Sequence, residues 1–171
     1  ALVPNSAAVL TGGGLPMDFG RSWKGRRILG DGKTWRGFFG GAFIGIALGL
    51  VQVTIASASD PSEHWGFGRW PDLLGRLGLM AFGALLGDAA GSFVKRRLGL
   101  ERGAKAPGLD QYNFVLGAVL LVGLVDPGWF LEQFWESQRY LGTLVFLVAV
   151  PLLHRGVNLL GFRLGRKEVP W

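Results

Sequence analysis

Cysteine is absent from the 171 residues, which excludes a disulfide framework, a thiolate nucleophile and any Cys-ligated zinc or iron–sulfur centre. Histidine is nearly absent. His64 and His154 are far apart and isolated in the chain, so neither suggests a zinc motif and each reads as an ordinary side chain. A metal would have to be held by oxygen or histidine. Charge is also scarce: only 18% of residues are Asp, Glu, Lys or Arg, 49% are hydrophobic, and the mean hydropathy is +0.32. That is too apolar for an ordinary water-soluble domain of this size, and the chain reads as a membrane protein.

What is abundant is glycine, 29 residues with no Gly-X-Y period. The glycines lie mostly inside apolar runs, which argues for close helix packing in lipid rather than for collagen or linkers. Two ladders at four-residue spacing stand out, Gly41–Gly45–Gly49 and Gly83–Gly87–Gly91. Each puts bare backbone on one helix face, and the two segments carrying them are expected at the bundle centre.

Four apolar stretches are long enough to cross a bilayer, which takes roughly 20 residues per helix: Phe38–Ala58, Leu73–Phe93, Phe114–Leu131 and Tyr140–Leu160. The third carries Asp126-Pro127-Gly128 near its end, where the span can stop. The fourth carries His154-Arg155, expected near an interface. Ala1–Leu10 is apolar but short, begins without Met, and reads as the tail of a further helix. The expectation is an all-α, polytopic bundle of about five membrane segments forming a single catalytic domain over residues 1–171.

Lys and Arg mark the cytoplasmic side. All 18 except Arg69, Arg76 and Arg139 fall in two loops and the tail: Arg21 to Arg36, Lys95 to Lys105, and Arg155 to Lys167. This places the C-terminus and two long polar loops in the cytoplasm. The net charge of +6 is thereby assigned to topology, anionic lipid or phosphate substrates, and no nucleic-acid partner is expected.

Asp88 lies deep in an apolar segment, where an ionised carboxylate costs roughly 2.5 to 3.5 kcal/mol. It should face the bundle interior with a cation. On a helix Ser92 and Lys95 share its face, with Arg96 beside them. The simpler reading is that Asp88 pairs with a Lys or Arg near the helix end. Asp110 and Asn113 lie just before the next helix, where their oxygens could face the Asp88 stripe; an Asp in that place is also a common N-cap. Hard oxygen ligands close to cations are what magnesium and a triphosphate require together.

A third group, Gly30-Asp31-Gly32-Lys33-Thr34-Trp35-Arg36-Gly37, suggests a P-loop but fails that pattern, since Arg27 stands where a glycine is needed and no buried strand precedes it. What survives is a glycine turn that delivers Lys33, Thr34 and Arg36 to a helix N-terminus, a reasonable phosphate cradle.

The run Gly87-Asp88-x-x-x-Ser92-x-x-Lys95-Arg96, continuing through Arg102 to Pro107-Gly108-Leu109-Asp110, resembles the C-terminal signature of CTP:phosphatidate cytidylyltransferases. Gly32-Lys33-Thr34-Trp35-x-Gly37 resembles their second motif. The short chain and the stretch from Pro4-Asn5 through Asp18 to Thr34 are similar to the archaeal branch, the CDP-archaeol synthases. The resemblance implies transfer of CMP from CTP to an isoprenoid ether lipid phosphate, 2,3-bis-O-geranylgeranylglycerol 1-phosphate, with release of diphosphate and a requirement for Mg2+. Asp88, Asp110 and Asn113 would hold the metal, and Lys33, Thr34, Arg36, Ser92, Lys95 and Arg96 the nucleotide. Asp88, Lys95, Arg96 and Asp110 would be catalytic. The family usually has a second acidic residue where this chain has Asn113, which still offers one neutral oxygen.

The lipid phosphate is already an anion near neutral pH, so no strong general base is needed, in keeping with the lack of a placed histidine. The active site is expected at the cytoplasmic side of the cell membrane, and a homodimer is compatible with the sequence. The main rival is a small transporter or channel using Asp88 as an intramembrane ion site, which predicts polar residues strung across several helices. A lipid-binding scaffold would leave Asp88 and Asp110 unexplained.

Overall fold

The computed structural model describes residues 1–59, 67–136 and 139–165, so His64, Arg166 and Lys167 lie outside the described residues. Among these described residues six helices follow in order: α1 (Leu2–Thr11), α2 (Trp35–Ser59), α3 (Asp72–Arg97), α4 (Leu109–Val125), α5 (Pro127–Phe134) and α6 (Arg139–Arg163). A small antiparallel hairpin, β1 (Ser22–Trp23) and β2 (Arg26–Arg27), lies in the loop before α2. At 1.5 Å per residue, α2, α3 and α6 are each about 37 to 39 Å long, more than the hydrocarbon thickness of a bilayer. Among the described residues they are the three helices long and apolar enough to cross it; α1 and α4 are shorter apolar helices.

The expected span Phe114–Leu131 is broken. Pro127 has no N–H with which to continue α4, and the Asp126 carboxylate instead accepts the N–H of Trp129 at 3.2 Å, capping α5. The helix therefore starts earlier, at Leu109, and stops at Val125. The α6 span is longer than Tyr140–Leu160 and contains Pro151.

The glycine ladders act as close-packing faces, but each receives a short helix rather than the other ladder. On α2, a Cβ at Gly41 would come 2.6 Å from the Pro4 carbonyl oxygen of α1, and one at Gly45 2.5 Å from the Pro4 ring; only Gly49 looks to α3, 2.7 Å from Leu77. On α3, a Cβ at Gly83 would come 2.7 Å from the Gly117 carbonyl of α4, while Gly87 and Gly91 lie directly against Asn113. Bare backbone is what lets α1 and α4 approach so closely. The core between these layers is small, built on Ala42, Ala81 and Leu85 and on Ala84, Phe114, Val115, Ala118 and Val150. Phe43, Ile55, Leu124, Val145 and Leu152 point outward, as a lipid-facing belt requires.

The loop from Gly12 to Thr34 is folded around one carboxylate. Asp18 is 6% exposed and accepts the backbone N–H groups of Gly20, Leu29 and Gly30 at 2.9 to 3.1 Å and the Arg27 guanidinium at 2.7 Å. Burial opposes its ionisation, but Arg27 and the three N–H donors outweigh it and hold the carboxyl well below the usual range. The hairpin turns on Lys24 and Gly25, both left-handed, as a two-residue hairpin turn demands. Arg97, at the end of α3, holds this hairpin: its guanidinium donates to the carbonyls of Trp23, Arg26 and Arg27 at 2.7 to 3.1 Å and lies over the rings of Trp23 and Phe93. The loop ends where the Thr34 hydroxyl accepts the Gly37 N–H at 3.1 Å and so caps α2.

Candidate active site

Two lysine–carboxylate pairs from four separate places in the chain meet on one cleft of about 160 Å³. Lys33, at the end of the folded loop, is ion-paired with Asp88 of α3. Seven residues further along α3, Lys95 is paired with Asp110 in the first turn of α4, Nζ to Oδ1 2.8 Å. The other Asp110 oxygen accepts the Ala106 N–H at 2.8 Å. All four side chains are only partly screened, 15 to 27% exposed, so each charge is held by its partner yet can be reached from the cleft.

Lys33 reaches Asp88 because the Asp18 cluster and the Arg97 clasp fix the loop over α3. Asp110 faces Lys95 because the glycine face of α3 admits α4 at close range. Asp110 is not the N-cap, a place taken by Gly108, whose N–H is accepted by Gln111. Asn113 lies one turn inside α4, its Oδ1 accepting the Phe114 N–H at 2.7 Å and its amide packed on Gly91.

The sequence-stripe residues are thus divided by the structure. Asp88, Lys95, Asp110, Asn113 and Lys33 line the cleft. Thr34 borders a narrower adjoining pocket with Lys33 and Asp88 while its hydroxyl caps α2. Arg36 is exposed, Ser92 is half-buried, and Arg96 has its Nε buried without a hydrogen-bond partner; none of the three lines the cleft. Lys95 turns to Asp110, leaving Asp88 to a loop lysine 55 residues away in sequence.

Four polar residues of the cleft have no site role in the sequence reading: Asn5 and Ser6 of α1, and His154 and Asn158 of α6. His154 stacks on Phe114, centroids 5.6 Å apart, and its ring nitrogens lie 3.3 to 3.4 Å from the Asn158 amide nitrogen. Asn158 is 3% exposed. A usable signal existed, because two polar residues at i and i+4 in an apolar helix share one inward face.

Among the described residues, no three His, Cys, Asp or Glu side chains come together to form a metal cage. Two carboxylates and one amide oxygen line the cleft, hard oxygen donors of the kind magnesium takes when water and phosphate complete its shell. Each carboxylate already holds a cation, its lysine, which is the charge a metal would take over. The residues present therefore fit magnesium.

Comparison with known proteins shows what the chain is similar to. A family model described as CarS-like, CDP-archaeol synthase, matches residues 1–171. The chain is 48% identical over 174 residues to the CDP-archaeol synthase of Methanospirillum hungatei, covering 100% of this chain and 98% of that protein. It is 40% identical over 182 residues to that of Pyrococcus horikoshii, covering 100% and 91%. A solved structure described as an intramembrane enzyme for archaeal membrane lipid biosynthesis aligns with a TM-score of 0.63 and 35% identity, covering 88% of this chain and 87% of the other. Full-length matches at this identity, on a helical membrane fold whose charged side chains gather at one cleft, leave one assignment: the chain belongs to the CDP-archaeol synthase family.

Proposed function

We propose that the cleft transfers CMP from CTP to 2,3-bis-O-geranylgeranylglycerol 1-phosphate in a magnesium-dependent reaction, yielding CDP-archaeol and diphosphate. The observation that carries this reading is the convergence of the Lys33–Asp88 and Lys95–Asp110 pairs on one cleft. Two anions and two cations in alternation suit a triphosphate and its metal, since an arriving phosphate can draw each ammonium from its carboxylate and free the carboxylate for a cation.

A phosphate oxygen of the lipid forms a bond to the α-phosphorus of CTP while the bond from that phosphorus to the β-phosphate oxygen breaks, and diphosphate leaves with the electron pair. Both reactants are anions, so the first requirement is charge neutralisation, and Lys33 and Lys95 supply it next to the reacting oxygens. Asp88, Asp110 and Asn113 would hold magnesium, which supplies further neutralisation of the triphosphate. No proton need be removed from the attacking phosphate, so His154 orients and hydrogen-bonds rather than acting as base. Positioning by a rigid wall of close-packed helices contributes the remainder.

The basic loops and the cleft lie at one end of the bundle, and the excess of Lys and Arg there supports a cytoplasmic placement of that end. CTP then arrives from water and the lipid from the bilayer. Incubation of purified protein with labelled CTP, magnesium and the lipid phosphate tests the reading: labelled CDP-lipid is expected, and its absence from folded protein would overturn it.

A further inference from the structure

Away from the cleft, the loop between α1 and α2 carries two exposed aromatic rings that the proposed reaction does not use. Trp23 of β1 is half-exposed and stacks on Phe93 of α3, with centroids 6.0 Å and planes 14° apart. Phe19 is 56% exposed and lies 6.3 Å from the ring of Trp35, which stacks in turn on Phe39 of α2 at 5.9 Å. Phe19 is held at a φ of 52°, a left-handed backbone that bulky side chains rarely adopt. The Asp18 carboxylate, which accepts the Gly20 N–H at 3.1 Å, keeps the turn in that shape. An apolar ring fixed outward against its own backbone preference points to an apolar surrounding.

Both rings continue helix faces that are turned to lipid. Phe39 and Phe43 are exposed four residues apart on α2; Leu86 and Val94 are exposed on α3, and Phe93 lies on the same stripe. At about 37 to 39 Å these helices exceed a hydrocarbon core of about 30 Å, so Trp35, the first residue of α2, and the last turn of α3 come to headgroup depth. The rings resting there sit where membrane proteins concentrate aromatic side chains. Cations frame them. Arg21 and Lys24 are exposed, and neither has a carboxylate partner among the described residues. The Lys24 ammonium and the Arg97 guanidinium lie 5.6 and 5.2 Å from the Trp23 ring centroid.

We propose that this loop is a membrane foot that binds anionic lipid: Phe19 and Trp23 seat at the boundary of acyl chains and headgroups, and Arg21 and Lys24 take the phosphates of phosphodiester lipids there. None of the four lines the cleft or its adjoining pocket, so the surface is separate from the reacting centre and does not depend on the proposed CMP transfer. Continuity with the outer faces of α2 and α3 selects lipid over a soluble partner. Charge selects anionic over zwitterionic lipid, since each Lys or Arg near a negatively charged bilayer favours it about fivefold. The foot ties to the bilayer the same loop that delivers Lys33.

The test exploits the absence of native cysteine. Ser22→Cys, on the exposed hairpin, is labelled with an NBD fluorophore in the full chain and reconstituted in phosphatidylcholine vesicles. Quenching is then compared for phosphatidylcholine and phosphatidylglycerol carrying a nitroxide at the top of the acyl chain. Phosphatidylglycerol has no terminal phosphate and cannot accept CMP, so the readout is independent of turnover. Both lipids should quench, with phosphatidylglycerol effective at a several-fold lower mole fraction. Adding Arg21→Gln and Lys24→Gln together should bring the two lipids to equal quenching, with phosphatidylcholine quenching and the unfolding temperature in detergent unchanged. Phe19→Ser should weaken quenching by both lipids. Arg163→Gln, at the end of α6, should leave the preference as it is. No quenching by either lipid would place the loop in water or under a second copy of the chain and overturn the proposal, as would equal quenching in the wild type or a preference that survives the double substitution.

Discussion

The helices α3 and α4 are joined by an ion pair at each end, and the two pairs teach opposite lessons. At the end away from the basic loops, Arg76 of α3 donates to Asp126 at 2.8 Å, gives a second bond to the Phe67 carbonyl at 2.7 Å, and lies 5.2 Å from the Trp129 ring centroid. Asp126 spends its other oxygen capping α5. The Arg76 Nε and Nη1 groups are thus both spent on local acceptors, and the Trp129 ring lies over the guanidinium. At the basic end, Lys95 and Asp110 form the equivalent bridge, but they face a cleft and stand beside a second pair, Lys33–Asp88. Lysine is a point charge that can change partners; arginine, with its planar fork, is the residue for a fixed clasp. The comparison separates a structural ion pair from one poised to accept a ligand.

The sharpest way to break that contrast is to neutralise one carboxylate at each end. Asp88→Asn should lower kcat/KM for CTP by at least about a hundredfold with the fold intact, because a lost ligand removes stabilisation specific to the reacting complex. Asp126→Asn should instead reduce thermal stability in detergent, leaving a partly buried guanidinium underpaired, with kcat/KM altered less than about threefold. Equal kinetic losses in both variants would erase the distinction.

Next in size are the lysines. Lys95→Ala should reduce CTP use by about tenfold to a hundredfold, a loss confined to kinetics if the ammonium binds phosphate. Reduced stability with unchanged CTP kinetics would show Lys95 to be no more than the counterpart of Arg76.

A smaller effect is expected of Asn113. Asn113→Asp adds an anion to the oxygen set and should move half-maximal activation to lower magnesium concentration, while Asn113→Ala should move it higher. An unmoved magnesium profile in both would remove Asn113 from the metal site and leave it a packing residue against Gly91.

The smallest effect concerns acid. The Asp18 carboxyl is held below its ordinary range in the folded loop, so the stability it contributes is fully present above the unfolded pKa, about 4, and is lost as pH falls below it. Unfolding followed by the fluorescence of Trp23 should show a stability plateau down to about pH 4 and a decline below. Asp18→Asn should lower the plateau and flatten the decline, and an unchanged decline would assign it to other carboxylates.

Much of this was legible in sequence. The seven-residue spacing placed Asp88 and Lys95 on one face, and the spans Phe38–Ala58 and Leu73–Phe93 lie within α2 and α3. Partners were harder to read. Nothing local to Lys33 announces that it will meet Asp88; that depends on a loop organised by Asp18 and held by Arg97, two long-range effects. The glycine ladders showed a packing face but not its occupant, since periodicity describes one helix at a time. His154 is isolated in sequence but not in space: only the packing of α6 brings it and Asn158 to the cleft. The break after Val125 was signalled by Asp126-Pro127, and only the capping bond to Trp129 shows that a new helix begins there.

The central claim is that the paired charges at the basic end, and not those at the opposite end, receive the nucleotide. Magnesium-dependent binding of labelled CTP to folded wild-type, Asp88→Asn and Asp126→Asn proteins measures this without relying on turnover. Binding is predicted to be strong and magnesium-dependent in the wild type and in Asp126→Asn, and to lose its magnesium dependence in Asp88→Asn. Retention of that dependence in Asp88→Asn, or its loss in Asp126→Asn, would contradict the account.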